Sequence, residues 1–248
     1  GHGPDLFIFA HNMVGHWASQ GLISPLSGSA KPEMLKRFLP ETVKALVHNK
    51  ALYGLPLAYK SLVLYYNVDL IASPPTSLEG LIAEAKKQKA KPGIAFETGK
   101  LYFHAPFLFG HGGHIFDENG KPDLVNPGAI QALDQVKSLV DSEVISSGLS
   151  SITVSALFNE GKVPFVFNGP WFRGEIDAEV RYGTAPLPTL GNGAPMKPFL
   201  GSEAVFISAK SPWKEHAFQV AAYLTSDASA SVRAIRGKQT IANTAVYE

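Results

Sequence analysis

The sequence predicts an α/β protein, and three observations carry that expectation. Strand-like and helix-like segments alternate along almost the whole chain. Eighteen prolines and 23 glycines cut the 248 residues into short elements with many turns, not long helices. No internal repeat and no low-complexity tract interrupts the alternation. Length alone allows one domain or two, and either can bury a sizeable core.

The elements follow in order. Residues 5–9 form a short apolar run, then residues 14–20 suit a helix that Gly21 can end. Residues 52–56 and 62–66 read as strands on either side of Ala58-Tyr59-Lys60. Pro74-Pro75 breaks the chain, and Thr76-Ser77-Leu78-Glu79 has the form of a capping box. Leu78, Leu81, Ile82 and Ala85 then mark one helical face. The second half repeats this grammar, with a strand at 93–96 and a helix at about 102–111. Asn126-Pro127 reads as an N-cap with proline at the first helical position, ahead of a face formed by Ile130, Leu133, Val136 and Val140. A helix over about 153–160 ends at Gly161, and 163–167 and 204–207 are buried-strand candidates. Ser211-Pro212 opens the last long helix, carried by Ala217, Phe218, Ala221 and Leu224. Pro186-Leu187-Pro188 and Gly191-Asn192-Gly193 mark an exposed connection.

Composition excludes several functions. The formal net charge is +1 and the charges are scattered, so no basic stripe follows a phosphate backbone and nucleic acid is not expected as a partner. The chain has no cysteine, which removes disulfides, zinc thiolates and cysteine nucleophiles, and is compatible with export. No apolar run is long enough to span a bilayer. The opening Gly1-His2-Gly3-Pro4 carries no signal-peptide pattern and leads directly into a strand-like run, as expected of a mature, truncated or excised piece.

Motifs narrow the field further. The sequence has no G-x-S-x-G elbow, P-loop, dinucleotide fingerprint or H-E-x-x-H, so no enzyme and no cofactor is expected. A glycosidase carboxylate pair leaves no local trace, and the acidic series Glu175, Asp177, Glu179 reads as a solvated face. His104, His111 and His114 invite a metal reading, yet Gly112-Gly113 fits a helix end better and no metal-ligand spacing surrounds them. The informative set is aromatic: Phe9, Trp17, Tyr59, Tyr102, Phe103, Trp171 and Phe172. Composition alone makes most of them core. Several, however, stand beside Gly or Pro with polar neighbours close by: His11 and Asn12 after Phe9, His104 after Tyr102, and Arg173 and Glu175 after Trp171. A sugar ring has apolar C–H faces and a rim of hydroxyls, and such pairings suit it.

Ordered stretches across nearly the whole chain resemble the extracellular solute-binding proteins of carbohydrate ABC importers, and among them the maltose/maltodextrin-binding proteins. They include Gly3-Pro4-Asp5-Leu6 with Ala10-His11, Leu55-Pro56-Leu57-Ala58, Leu64-Tyr65-Tyr66-Asn67 and Pro74-Pro75-Thr76-Ser77-Leu78-Glu79. They continue with Ala156-Leu157-Phe158-Asn159-Glu160-Gly161-Lys162, Asn168-Gly169-Pro170-Trp171, Leu187-Pro188-Thr189 and Lys197-Pro198-Phe199. The resemblance implies a type II periplasmic-binding-protein fold, with two lobes joined by a hinge that closes on a sugar. It places residues 1–58 and 204–248 in one lobe and 59–203 in the other. It also implies ligand contacts at Phe9, Asn12, Lys60, Tyr102 and Trp171, permease subunits as partners, and a periplasmic or extracellular location.

The departures from the family pattern matter. Asn12-Met13 stands where maltose-binding proteins carry an Asp-Arg pair, Lys60 and Lys100 stand where they carry glutamates, and Ser151 stands where they carry a tyrosine. Lysine donates hydrogen bonds and accepts none, so an acidic or non-sugar ligand is the alternative to a maltodextrin-like oligosaccharide. The resemblance further implies that strands before Asp5 and helices after Tyr247 are missing, as in a fragment, a structural remnant or a domain fused within a transporter.

Overall fold

The computed structural model describes residues 3–26 and 28–246; Gly1, His2 and Tyr247, which figured in the reading above, lie outside them. The chain separates into two compact units, one made of Gly1–Lys60 with Leu200–Glu248 and the other of Ser61–Phe199.

The first stretch of unit 1 runs β1 (Leu6–Ala10), α1 (Val14–Ser19), α2 (Pro32–Leu35), α3 (Pro40–Lys44), β2 (Val47–His48), β3 (Ala51–Leu52) and β4 (Gly54–Lys60). Unit 2 holds β5 (Val63–Asn67), α4 (Leu78–Lys87), β6 (Ile94–Ala95), α5 (Leu101–Gly110), α6 (Pro127–Asp141), α7 (Ser151–Asn159), β7 (Phe165–Asn168) and β8 (Tyr182–Ala185). The chain then returns to unit 1 as β9 (Gly201–Ile207), α8 (Lys214–Leu224) and α9 (Asp227–Ile235).

Unit 1 is built on an antiparallel sheet ordered β1-β9-β4, in which Leu6 pairs Ile207 and Gly54 pairs Phe206. Alternation sends Leu55, Val205 and Ile207 to one face, where they pack with Leu26 and with Ala217 and Ala221 of α8. Ala204 and Phe206 face the other way and meet Val14, Ile23, Leu46 and Leu52. Pro56 cannot donate to a ladder, and it sits where the β4 register slips between Pro56 and Ala58. The outer edge of β4 is covered: Ala242 N donates to Leu57 O at 3.1 Å, and Thr240 Oγ1 donates to Tyr59 O.

Unit 2 has a four-stranded sheet ordered β6-β7-β5-β8, with β6 parallel to β7 and the other pairs antiparallel. Leu64, Phe165 and Phe167 face α4, α5 and α6 through Leu81, Phe107 and Ala132. Tyr65 and Val166 face α7 through Val154 and Phe158. Helices on both sheet faces make this half a three-layer α/β structure.

Several expectations need correction. Ala58-Tyr59-Lys60 is the end of β4 and not a connector, because Tyr59 and Lys60 continue the ladder to Ser202 and Gly201. The N-cap of α4 is Ser77, whose Oγ accepts from Gly80 N at 3.1 Å, so no Thr76–Glu79 box forms. Thr76 instead offers its carbonyl to Thr189 N at 2.8 Å. On α6 the buried stripe is Gly128, Ala129, Ala132 and Leu139, while Ile130 and Leu133 are exposed, because α5 takes the small-residue side. The 186–193 segment is not simply an exposed connection: Leu190 is buried in the unit 2 core. Finally, α8 begins at Lys214 and is followed by α9, whose apolar residues Val232 and Ile235 are exposed.

Candidate functional site

The first turn of α5 and the segment after β7 bring aromatic rings together within unit 2. Tyr102 enters α5 directly after its N-cap, Lys100 and Leu101. Its ring centroid stands 5.9 Å from that of Trp171 and 6.1 Å from that of Phe199, with the Phe199 plane inclined by only 21°. Phe199 also meets Phe109 edge-on at 5.2 Å. Tyr102 and Phe109 are seven residues apart, two turns of one helix, so Phe199 rests against a single face of α5. Lys197 N donates to Pro106 O at 3.2 Å and ties the same segment to that helix.

Trp171 owes its position to its neighbours. It belongs to a 3-10 turn, Pro170–Glu175, in which the next ring, Phe172, is buried against Tyr65 and Phe158 at 5.0 and 5.5 Å. One ring anchors the turn and the other is presented outward, with Trp171 37% exposed. Glycine at 169 leaves room for that ring: a Cβ there would stand 2.1 Å from Trp171 Cζ3, so the indole would have to move. The Gly169 carbonyl accepts from Tyr65 Oη at 3.0 Å, and its N–H donates to Asn168 Oδ1 at 2.8 Å.

The platform has a polar feature of its own. Among the described residues the Tyr102 hydroxyl is buried and has no hydrogen-bond partner. Burial raises its pKa to about 12, so it remains a neutral donor and acceptor. A buried hydroxyl without a partner costs stability, and a ligand hydroxyl is the kind of group that would satisfy it.

The lysines expected as cationic lining are paired. Lys60 Nζ meets Glu203 Oε1 at 2.9 Å across β4 and β9, with side chains 29% and 31% exposed. Lys100 pairs with Glu97, and here the carboxylate is the sheltered partner, 12% exposed against 63% for the lysine. At both places a hydrogen-bond acceptor accompanies the donor.

The remaining expected residues lie on unit 1 or on the surface of unit 2. Phe9 on β1 is 48% exposed and leans on Trp17 at 5.2 Å. Trp17 also contacts Phe7 at 5.4 Å and Phe206 at 5.7 Å, so it packs, half-buried, against the core of unit 1. Asn12 is exposed in the turn His11–Met13, whose His11 accepts from Ser202 N through Nδ1 at 3.1 Å. Ser151 is the exposed first residue of α7. The histidines at 111 and 114 diverge: His111 bonds Gln135 at 2.6 Å and His114 meets Asp123 at 2.8 Å. Between them Gly112 takes φ +75°, the turn that ends α5.

Sequence reasoning did not assign roles to Phe199, Gly169, Glu203 or Glu97. The Glu97–Lys100 spacing is readable along the chain, whereas the others depend on partners brought together by folding.

The profile of the family described as bacterial extracellular solute-binding protein matches residues 1–231. The chain belongs to this family. Among its relatives in the solute-binding family, a maltotriose-binding protein of Pyrococcus abyssi is 28% identical over 92% of this chain and 52% of its own length. A maltodextrin-binding protein of Bacillus subtilis is 27% identical over 93% of this chain and 58% of its own. The structure of a cyclo/maltodextrin-binding protein complexed with maltotetraose superposes with a TM-score of 0.84 at 28% identity, covering 98% of this chain and 66% of that one. The chain thus spans about half the length of the curated solute-binding relatives it matches. The two-lobed type II binding fold accounts for the α/β units described above. Among the described residues no helix is long and apolar enough to cross a membrane.

Proposed function

We propose that this chain is the sugar-gripping portion of a carrier that binds a neutral maltodextrin-like oligosaccharide and passes it, chemically unchanged, to the permease of an ABC importer. Its working place is the periplasm or the cell exterior. One observation carries the ligand class: an exposed tryptophan beside a tyrosine whose buried hydroxyl lacks a partner, in a family whose members here are named for maltotriose and maltodextrin. Rings take the apolar face of a pyranose, and the hydroxyl takes one of its oxygens. Trp171 and Tyr102 are the principal contacts in this reading, with Phe9 and Asn12 as additional ones from unit 1.

Charge favours a neutral ligand over an acidic one. Lys60 and Lys100 each face a carboxylate, so neither presents uncompensated positive charge, and Glu203 and Glu97 offer the acceptors that sugar hydroxyls need. Calorimetric titration with maltotetraose and with an acidic oligosaccharide of the same length, at low and raised salt, tests this. Saturable binding of maltotetraose that is insensitive to salt is expected. Preference for the acidic ligand, weakening with salt, would overturn the neutral assignment.

A further inference from the structure

We infer that Phe199 is a positioning residue of the sugar platform, setting the plane of Tyr102 and through it the stance of Trp171. This deepens the reading of Trp171 and Tyr102 as sugar contacts and rests on it.

The argument begins with support. Trp171 meets Tyr102 at 5.9 Å with the planes tilted by 49°, and Tyr102 in turn meets Phe199 at 6.1 Å with the planes 21° apart. The three rings form a chain in which Tyr102 is the middle member. Its hydroxyl has no hydrogen bond to fix its direction among the described residues, so the ring is oriented by packing alone. Phe103 touches it edge-on at 5.7 Å but is its neighbour on the same helix. Phe199 is a contact from outside α5, and it is itself pinned by Phe109 and by the Lys197–Pro106 hydrogen bond.

The place of Phe199 in the chain adds to this. It is the last residue of unit 2; the backbone enters unit 1 at Leu200 and begins β9 at Gly201. A sugar stacked on the platform would therefore bear, through two rings, on the segment by which the chain changes units. Phe199 serves the ligand without needing to touch it.

The test uses Phe199→Leu, which keeps apolar bulk and removes the ring, and Phe199→Tyr, which keeps the ring. The first readout needs no sugar: the indole N–H resonance of Trp171, assigned with Trp171→Phe. It should shift or broaden in Phe199→Leu and hold its wild-type position in Phe199→Tyr. The second is maltotetraose affinity, expected to fall about tenfold in Phe199→Leu, close to one aromatic pair, and to be restored in Phe199→Tyr. An unmoved Trp171 resonance in Phe199→Leu overturns the inference whatever the sugar does. A moved resonance with unchanged affinity also overturns it, since positioning would then not serve binding. If wild type fails to bind maltotetraose, the sugar reading falls, and the resonance alone decides whether Phe199 sets the platform.

Discussion

Trp17 and Trp171 look alike in the sequence, each an aromatic residue near polar neighbours, yet the two units use them in opposite ways. Trp17 is half-buried, packed against Phe7, Phe9 and Phe206 at 5.2–5.7 Å, and flanks the core of unit 1. Trp171 stands 5.9 Å from the Tyr102 ring, over the space left by the missing side chain of Gly169, and it remains 37% exposed. The comparison teaches that a ring packed among its neighbours serves the fold, whereas one that keeps exposed surface remains available to a ligand.

The sharpest way to break this contrast is to remove each exposed ring. Trp171→Ala should weaken maltotetraose binding by about 30-fold or more, the size of a binding hot spot, whereas Phe9→Ala should weaken it less than tenfold, measured by calorimetry. Equal losses would erase the distinction between the units.

Gly169→Ala should cost about tenfold in affinity, the loss of one well-placed aromatic contact, and shift Trp171 emission. Gly169 has φ −90° and ψ 178°, ordinary extended backbone, so the effect would be steric and not conformational. A variant with wild-type emission and affinity would show that Trp171 stands elsewhere.

Tyr102→Phe separates stability from binding. Removing a buried hydroxyl that lacks a partner should stabilise the sugar-free protein by about 1 kcal/mol and weaken maltotetraose binding several-fold. Denaturant unfolding and calorimetry check the two halves. A destabilised variant would mean the hydroxyl already had a partner.

The smallest effect concerns pH. Burial lowers the pKa of both His11 and His104. Each therefore binds fewer protons folded than unfolded below the ordinary histidine value of about 6.5. Their contribution to stability is complete above that value and is lost as pH falls through the lowered, folded values. The melting temperature should drop by a few degrees from pH 7 to pH 5, and His11→Asn with His104→Asn should flatten that drop. An unchanged slope would place its origin elsewhere.

Local chemistry was legible along the chain, and relations between distant segments were not. Asn126-Pro127 does cap α6, with Asn126 Oδ1 accepting from Ala129 N at 3.0 Å, because capping is decided within four residues. Ile130 and Leu133 are exposed against the expected pattern, because helical periodicity identifies an apolar stripe but not which side a neighbouring helix will take. The two lysines show the divide most clearly: Glu97 is three residues from Lys100, but Glu203 reaches Lys60 across 143 residues of chain, and only pairing of β4 with β9 unites them.

That same pairing sets an order of events on the ribosome. Strands β1 and β4 are made before their shared partner β9, which follows only after the whole of the continuous segment Ser61–Phe199. At about 5–20 residues per second, the roughly 140 intervening residues take about 7 to 28 seconds to synthesise. Throughout that interval Leu6–Ala10 and Gly54–Lys60 lack the strand that pairs with both of them.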